Sequence, residues 1–146
     1  MVTYIVSIST DFVSTSTYQF GNKTLVFRLT GEQIKAALEH GLAEYPRASG
    51  QFLHISGAKV VFDASRKPGE RVVEISIGGA PVEKRKYYSV AASDFFLRGG
   101  DGFTQFTNSG LRTRVEDAKL IANDVMVYVR KLGTIALAPE GRVAQR

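Results

Sequence analysis

The amino-acid sequence predicts an α+β fold in a single domain, and three observations point there. Apolar residues at helical spacing follow a helix-capping pattern across residues 30–42. Short apolar runs of strand length dominate the middle of the chain. The two kinds of segment do not alternate strictly, as an all-parallel sheet would require. The length of 146 residues suits one domain, and a domain of that size buries about 68–70% of the surface of its unfolded chain.

Each element has its own local cause. Residues 1–17 are rich in Ser, Thr and Val without a helical period, and read as a strand or a loosely ordered arm. Residues 25–29, LVFRL, form a short apolar run of strand length. Thr30 and Gln33 make a T-x-x-Q capping box. Ile34, Leu38 and Leu42 then recur on one helical face, Ala36 and Ala37 favour helix, Gly41 is a terminator and Pro46 follows. A helix over residues 31–40 is expected, with one face buried.

Beyond residue 51 the pattern turns to strands. Residues 52–55 and 59–62 are apolar runs split by Ser56 and Gly57. Residues 63–69 are a polar turn. In residues 71–77, Val73, Ile75 and Ile77 are expected on one face, with Glu74 and Ser76 on the other. Gly78-Gly79 signals a hairpin, Val82 starts a short return, and residues 87–92 are a further strand. Asn123 is the expected cap of a helix over residues 124–132, with Val125, Val129 and Leu132 as its apolar stripe. Arg130 and Lys131 suit its last turn, and Gly133 suits its C-cap. Residues 135–137 and 141–143 are candidates for an edge strand.

Composition narrows the function. Hydrophobic residues make up 44% and charged residues 23%, as in ordinary globular domains, so whole-chain disorder is excluded. With no cysteine, a disulfide framework, a thiol nucleophile and a cysteine zinc site are impossible. Two histidines argue against a His-rich dinuclear metal centre. Nineteen basic against 14 acidic residues leave a net charge of +5, which favours anionic partners in general. Lys84, Arg85 and Lys86 form one tight basic cluster, expected as a solvated turn. No run reaches the ~20 apolar residues that span a bilayer. Residues 1–17 lack the basic and apolar regions of a signal peptide, and no hydrophobic tail closes the chain.

Arg98-Gly99-Gly100-Asp101-Gly102 is the most suggestive stretch. Glycines around one acid let the backbone take positive φ and approach a ligand closely. Successive N–H groups in such a loop can cradle an anion, and the Asp101 carboxylate can accept from a hydroxyl. Phe95, Phe96, Phe103 and Phe106 flank the loop, and aromatic faces stack nucleobases. The alternative is a tight turn among core phenylalanines. Phe20-Gly21-Asn22 repeats the theme more weakly, as an aromatic beside a flexible turn. His54 fits a satisfied strand histidine, and His40 fits a favourable contact at a helix C-terminus. No P-loop, H-E-x-x-H, G-x-G-x-x-G or G-x-S-x-G pattern is present. The residues alone thus lead to a basic α+β domain with a candidate aromatic nucleotide clamp and no catalytic machinery.

Four segments carry a family resemblance: FGNKTLVFRLTGEQIKAALEHGL, GQFLHISGAKVVFDASRKPGERV, YYSVAASDFFLRGGDGF and the closing APEGRV. Together they resemble the C-terminal domain of the 5′-nucleotidase family, which includes UDP-sugar hydrolases and cyclic-nucleotide phosphodiesterases. The likeness spans residues 20–143; residues 1–17 are unmatched, and residues 18–146 are expected to be a nucleotide-binding domain lacking its first segment. The resemblance implies a mixed β-sheet with packed helices. It also implies a base sandwiched between Phe20 and Phe95, with Asp101 on the ribose hydroxyls. Gly99, Gly100 and Gly102 would shape the loop, and Asn22 belongs to the first phenylalanine's turn. The family's usual Pro before that phenylalanine is Gln19 here, and its usual Asn before GGDG is Arg98.

The resemblance further implies a catalytic metallophosphoesterase domain, with two divalent metals such as zinc or manganese, that is separate from this sequence. This chain alone is then expected to hold no cofactor and to be catalytically inactive. Its expected partners are a nucleoside or nucleotide, that catalytic domain and a second copy in a homodimer, but not nucleic acid. Family members act outside the cytoplasm: extracellular, periplasmic or at the cell surface. The family's Asn-Gly-Gly-Gly-Ile-Arg segment has no counterpart in residues 1–17, which fits an expression fragment, a truncated gene product or a divergent stand-alone protein. A non-catalytic interaction or dimerisation module is the alternative function.

Overall fold

A computed structural model describes residues 3–4, 21–132 and 138–146. Its strands are β1 (Thr3–Tyr4), β2 (Thr24–Thr30), β3 (Ala58–Phe62), β4 (Val72–Ile77), β5 (Ala80–Pro81), β6 (Tyr87–Ser93), β7 (Gly110–Leu111) and β8 (Val143–Gln145). Its helices are α1 (Gly31–Gly41) and α2 (Ile121–Leu132). Among the described residues the strands form two four-stranded sheets, in the orders β1-β6-β2-β7 and β5-β4-β3-β8. Each is mixed: β1 runs parallel to β6 and β8 parallel to β3, while the other pairs are antiparallel. This is the α+β architecture that the residue patterns predict.

β2 forms where LVFRL stands, because its alternate residues Leu25, Phe27 and Leu29 all face the core and are fully buried. Burying each contributes about 1.5–3 kcal/mol. The capping box at its end is formed. Thr30 Oγ1 accepts from Gln33 N at 3.2 Å, and Gln33 Oε1 accepts from Thr30 N at 2.8 Å. The next free helical donors, Gly31 N and Glu32 N, bond to the carbonyls of Lys86 and Lys84, each at 3.0 Å. The basic cluster is therefore a turn with exposed side chains, as expected, whose backbone also caps α1. Gly31 permits that approach, since a Cβ there would strike the Glu83 carbonyl. Ile34, Ala37, Leu38 and Leu42 join residues from both sheets in one core.

Several expectations are corrected. Among the described residues, 52–55 form no run of strand: Leu53 and Ile55 are buried, Ile55 as a single β-bridge residue, and they fill the core beside α1. In β4 the buried residues are Val72 and Ile75, while Val73 is exposed. The register shifts there, from Val61 opposite Glu74 to Phe62 opposite Val72. Val73 is the extra residue of a bulge, and a bulge switches faces. α2 begins at Ile121, not at residue 124, because Ile121 N bonds the Asn22 carbonyl at 2.9 Å. Of its expected stripe Val125 is half-buried, and the side chains of Val129 and Leu132 lie outside the described residues.

Gly78 and Gly79, with φ of 62° and 84°, make the expected two-residue hairpin between β4 and β5. Val143 belongs to edge strand β8, whereas residues 135–137 lie outside the described ones. So do residues 5–20, although Thr3 and Tyr4 pair with β6. Among the described residues no helix is long and apolar enough to cross a membrane.

Candidate functional site

The site is built at the open end of the β2–β6 ladder. Thr24 pairs with Ser93, and the next two residues extend the pairing. Lys23 N donates to Asp94 Oδ1 at 3.0 Å, and Asp94 N donates to the Lys23 carbonyl at 2.9 Å. Asn22 and Phe95 thus each stand one residue beyond the same contact. Asn22 gives its carbonyl to Ile121 N and so ties the start of α2 to this corner. Phe20 lies outside the described residues.

Past Asp94 the chain enters two short 3₁₀ turns, Phe96–Arg98 and Gly100–Gly102. The four flanking phenylalanines divide sharply. Phe96, Phe103 and Phe106 are core: Phe96 stacks on Phe106 and meets Phe103 edge-on, each at 5.0 Å between ring centroids. Phe95 alone among them is exposed, at 37%. Its ring lies against Gly100, where an added Cβ would collide with it.

Gly99, Asp101 and Gly102 all have positive φ, of 71°, 51° and 81°. Among the described residues Asp101 is the only non-glycine in that region. The left-handed conformation costs an L-residue about 1–2 kcal/mol, eased for Asp. Bonds to its carbonyl offset that cost. His40 Nε2 donates to the Asp101 carbonyl at 2.7 Å, and Gln51 Nε2 donates to it at 3.1 Å. A neutral hydrogen bond contributes about 0.5–1.5 kcal/mol net. The Asp101 side chain stays in solvent. Arg98 is also exposed and lies 3.8 Å from the Asp94 carboxylate.

Phe95, Gly99, Gly100, Asp101 and Gly102 therefore come together in one loop, with Asn22 around the corner. Sequence reasoning missed the supports. His40 does sit in the last turn of α1, as expected, but its ring also reaches the loop and meets Phe103 edge-on at 4.6 Å. Glu39 and Arg71 form a second support. The buried Glu39 carboxylate accepts from Arg71 N and Val72 N, each at 2.8 Å. The Arg71 guanidinium donates to the carbonyls of Leu42, Ala43 and Tyr45 at the end of α1. An acid in the last turn of a helix opposes the helix dipole, so Glu39 carried a signal that a specific partner holds it.

The SRKPGERV segment thus clamps α1 to β4. At its start Asp63 Oδ1 accepts from Ser65 Oγ at 2.6 Å and Ser65 N at 3.0 Å. The Ser65 hydroxyl, then its backbone N–H, hold the Asp63 carboxyl below its ordinary value. Among the described residues no three His, Asp or Glu side chains converge as metal ligands would.

Comparison with known proteins matches residues 9–108 to the family model described as 5′-nucleotidase, C-terminal domain. The chain is 34% identical to human 5′-nucleotidase over 132 residues, covering 85% of this chain and 23% of that protein. It is 32% identical to snake venom 5′-nucleotidase of Gloydius brevicauda over 137 residues, covering 88% of this chain and 23% of that one. The crystal structure of a 5′-nucleotidase precursor from Thermus thermophilus superposes with a TM-score of 0.80 at 32% identity. That match covers 88% of this chain and 26% of that one. The chain spans about a quarter of the length of these relatives.

Proposed function

The chain belongs to the 5′-nucleotidase C-terminal domain family, and from that premise we propose that it is the nucleoside-recognition part of a longer 5′-nucleotidase-like phosphohydrolase. The observation that carries this reading is the pairing of an exposed Phe95 with the glycine loop that presents Asp101 to solvent. An aromatic ring left outside a core formed by its three neighbours is available to a planar ligand. Stacking one base on such a ring contributes about 1–3 kcal/mol. The Asp101 carboxylate accepts from the paired hydroxyls of a ribose, a charge-assisted contact. Phe20 supplies the second aromatic face, Gly99, Gly100 and Gly102 shape the loop, and Asn22 lines the corner.

The chemistry of phosphate release belongs to the remainder of the longer protein. Its two divalent metals would activate water there. The chain alone therefore binds nucleosides weakly, with Kd in the roughly millimolar range, and turns over no phosphate ester. The proposed site of action of the longer protein is outside the cytoplasm, a reading supported by a relative named snake venom 5′-nucleotidase.

An amide-resolved NMR titration with adenosine tests the reading. Shifts centred on Phe95 and residues 99–102 are expected. Saturable shifts confined to another face of the molecule would overturn it.

A second reading has its own observation. On α2, Met126, Val127 and Tyr128 are 49%, 66% and 60% exposed; successive residues point about 100° apart, so they spread apolar surface around the helix that suits contact with another domain or a second copy. An interaction module of that kind is compatible with nucleoside recognition by the glycine loop, and is tested by association state.

A further inference from the structure

We infer that His40 and Gln51 are positioning residues for the nucleoside loop: their side-chain N–H groups jointly hold the Asp101 carbonyl and so set where its carboxylate stands. The ligand in this inference rests on the nucleoside-recognition reading; the positioning contact does not.

The two donors come from different parts of the chain. His40 is in the last turn of α1, and Gln51 lies in the loop that follows it. They meet on one backbone oxygen, at 2.7 Å and 3.1 Å. That oxygen belongs to the one described non-glycine residue with positive φ. A carbonyl only accepts, so His40 Nε2 carries the hydrogen. The ring's orientation is set by T-shaped packing on the buried Phe103, 4.6 Å between centroids at an interplanar angle of 82°. Gly102 leaves room for it: a Cβ there would come within 3.1 Å of His40 Cε1 and 3.2 Å of Nε2. A loop conformation that is unfavourable for Asp on its own is thus bonded from beneath by two side chains.

The test uses the full 146-residue chain and adenosine as the probe. His40→Phe keeps a ring against Phe103 and removes the donor. Gln51→Leu removes the other donor, and His40→Gln restores an N–H at position 40. In the double variant H40F/Q51L, amide hydrogen exchange at Gly102 and Phe103 is expected to accelerate about tenfold or more, with the β2–β6 ladder amides unchanged. Adenosine Kd is expected to rise about five- to tenfold for His40→Phe, and His40→Gln is expected to recover most of that loss.

Unchanged exchange at Gly102 and Phe103 in the double variant would overturn the positioning contact. Faster exchange with an unchanged adenosine Kd would overturn its role in recognition. If the wild-type chain binds no adenosine, the nucleoside reading fails and the exchange measurement alone decides the contact. If the double variant does not fold, Gln51→Leu alone decides by the same two readouts.

Discussion

The Phe95 ring rests on the backbone of Gly100, in the space that a side chain at position 100 would fill. A glycine is needed there for room, and the exposed aromatic owes its place to that missing atom. Replacing Gly100 by alanine should therefore displace the ring. Adenosine affinity should fall about tenfold, within the range of one lost base-stacking contact. Thermal stability should fall by only a few degrees, roughly 1–2 kcal/mol for local overpacking. Isothermal titration beside a thermal melt checks both. Unchanged affinity in Gly100→Ala would mean that the ring's position is unimportant.

Arg71 and Glu39 predict a loss of stability without a direct loss of the loop. Arg71→Met leaves the carbonyls of Leu42, Ala43 and Tyr45 without the donor they share. Glu39→Ala leaves two backbone N–H groups without their acceptor. Glu39→Ala should cost about 2–4 kcal/mol, since unsatisfied buried groups cost about 1–3 kcal/mol apiece. Arg71→Met should cost less, about 1–2 kcal/mol, because the Leu42 carbonyl keeps the Tyr45 N–H and the other two carbonyls are only partly buried. Urea unfolding measures it. A midpoint unchanged in both variants would contradict the clamp.

Asp63 predicts a small pH dependence of known sign. Folding lowers its carboxyl below the ordinary 3.8, first through the Ser65 hydroxyl. Its stabilising contribution is complete above about 3.8 and is lost as the pH falls through the lower folded value. Asp63→Asn should therefore be less stable than the wild type at pH 6, with the gap closing below pH about 3.8. A gap that stays constant through that window would show that the charge is not the cause.

The exposed apolar residues of α2 predict association. Light scattering of the wild-type chain should show mass rising with concentration, and Val127→Lys/Tyr128→Lys should shift the profile toward monomer. A monomer at every concentration would contradict self-association through these residues.

What was legible in the sequence was local. The capping box needs only Thr30 and Gln33, the hairpin only Gly78 and Gly79, and both formed as the patterns implied. The glycine loop was visible for the same reason. Features that depend on distant partners were not. Leu53 and Ile55 alternate like strand residues because the core accepts them, and alternation alone does not fix how far a ladder runs: pairing here shows only at Ile55. The start of α2 is set by the carbonyl of Asn22, far back in the chain. The residues by themselves do not separate the four phenylalanines around the loop; the family resemblance points to Phe95, and the packing leaves that one exposed. The His40 contact joins residues 61 positions apart, beyond the reach of any local pattern.

If Phe95 stacks a base beside Asp101, affinity must depend on its ring. The most direct measurement is the adenosine Kd of wild type, Phe95→Tyr and Phe95→Ala by titration calorimetry or NMR. Retention of affinity with tyrosine and a loss of about tenfold or more with alanine is the predicted result. Equal affinity in all three would contradict it.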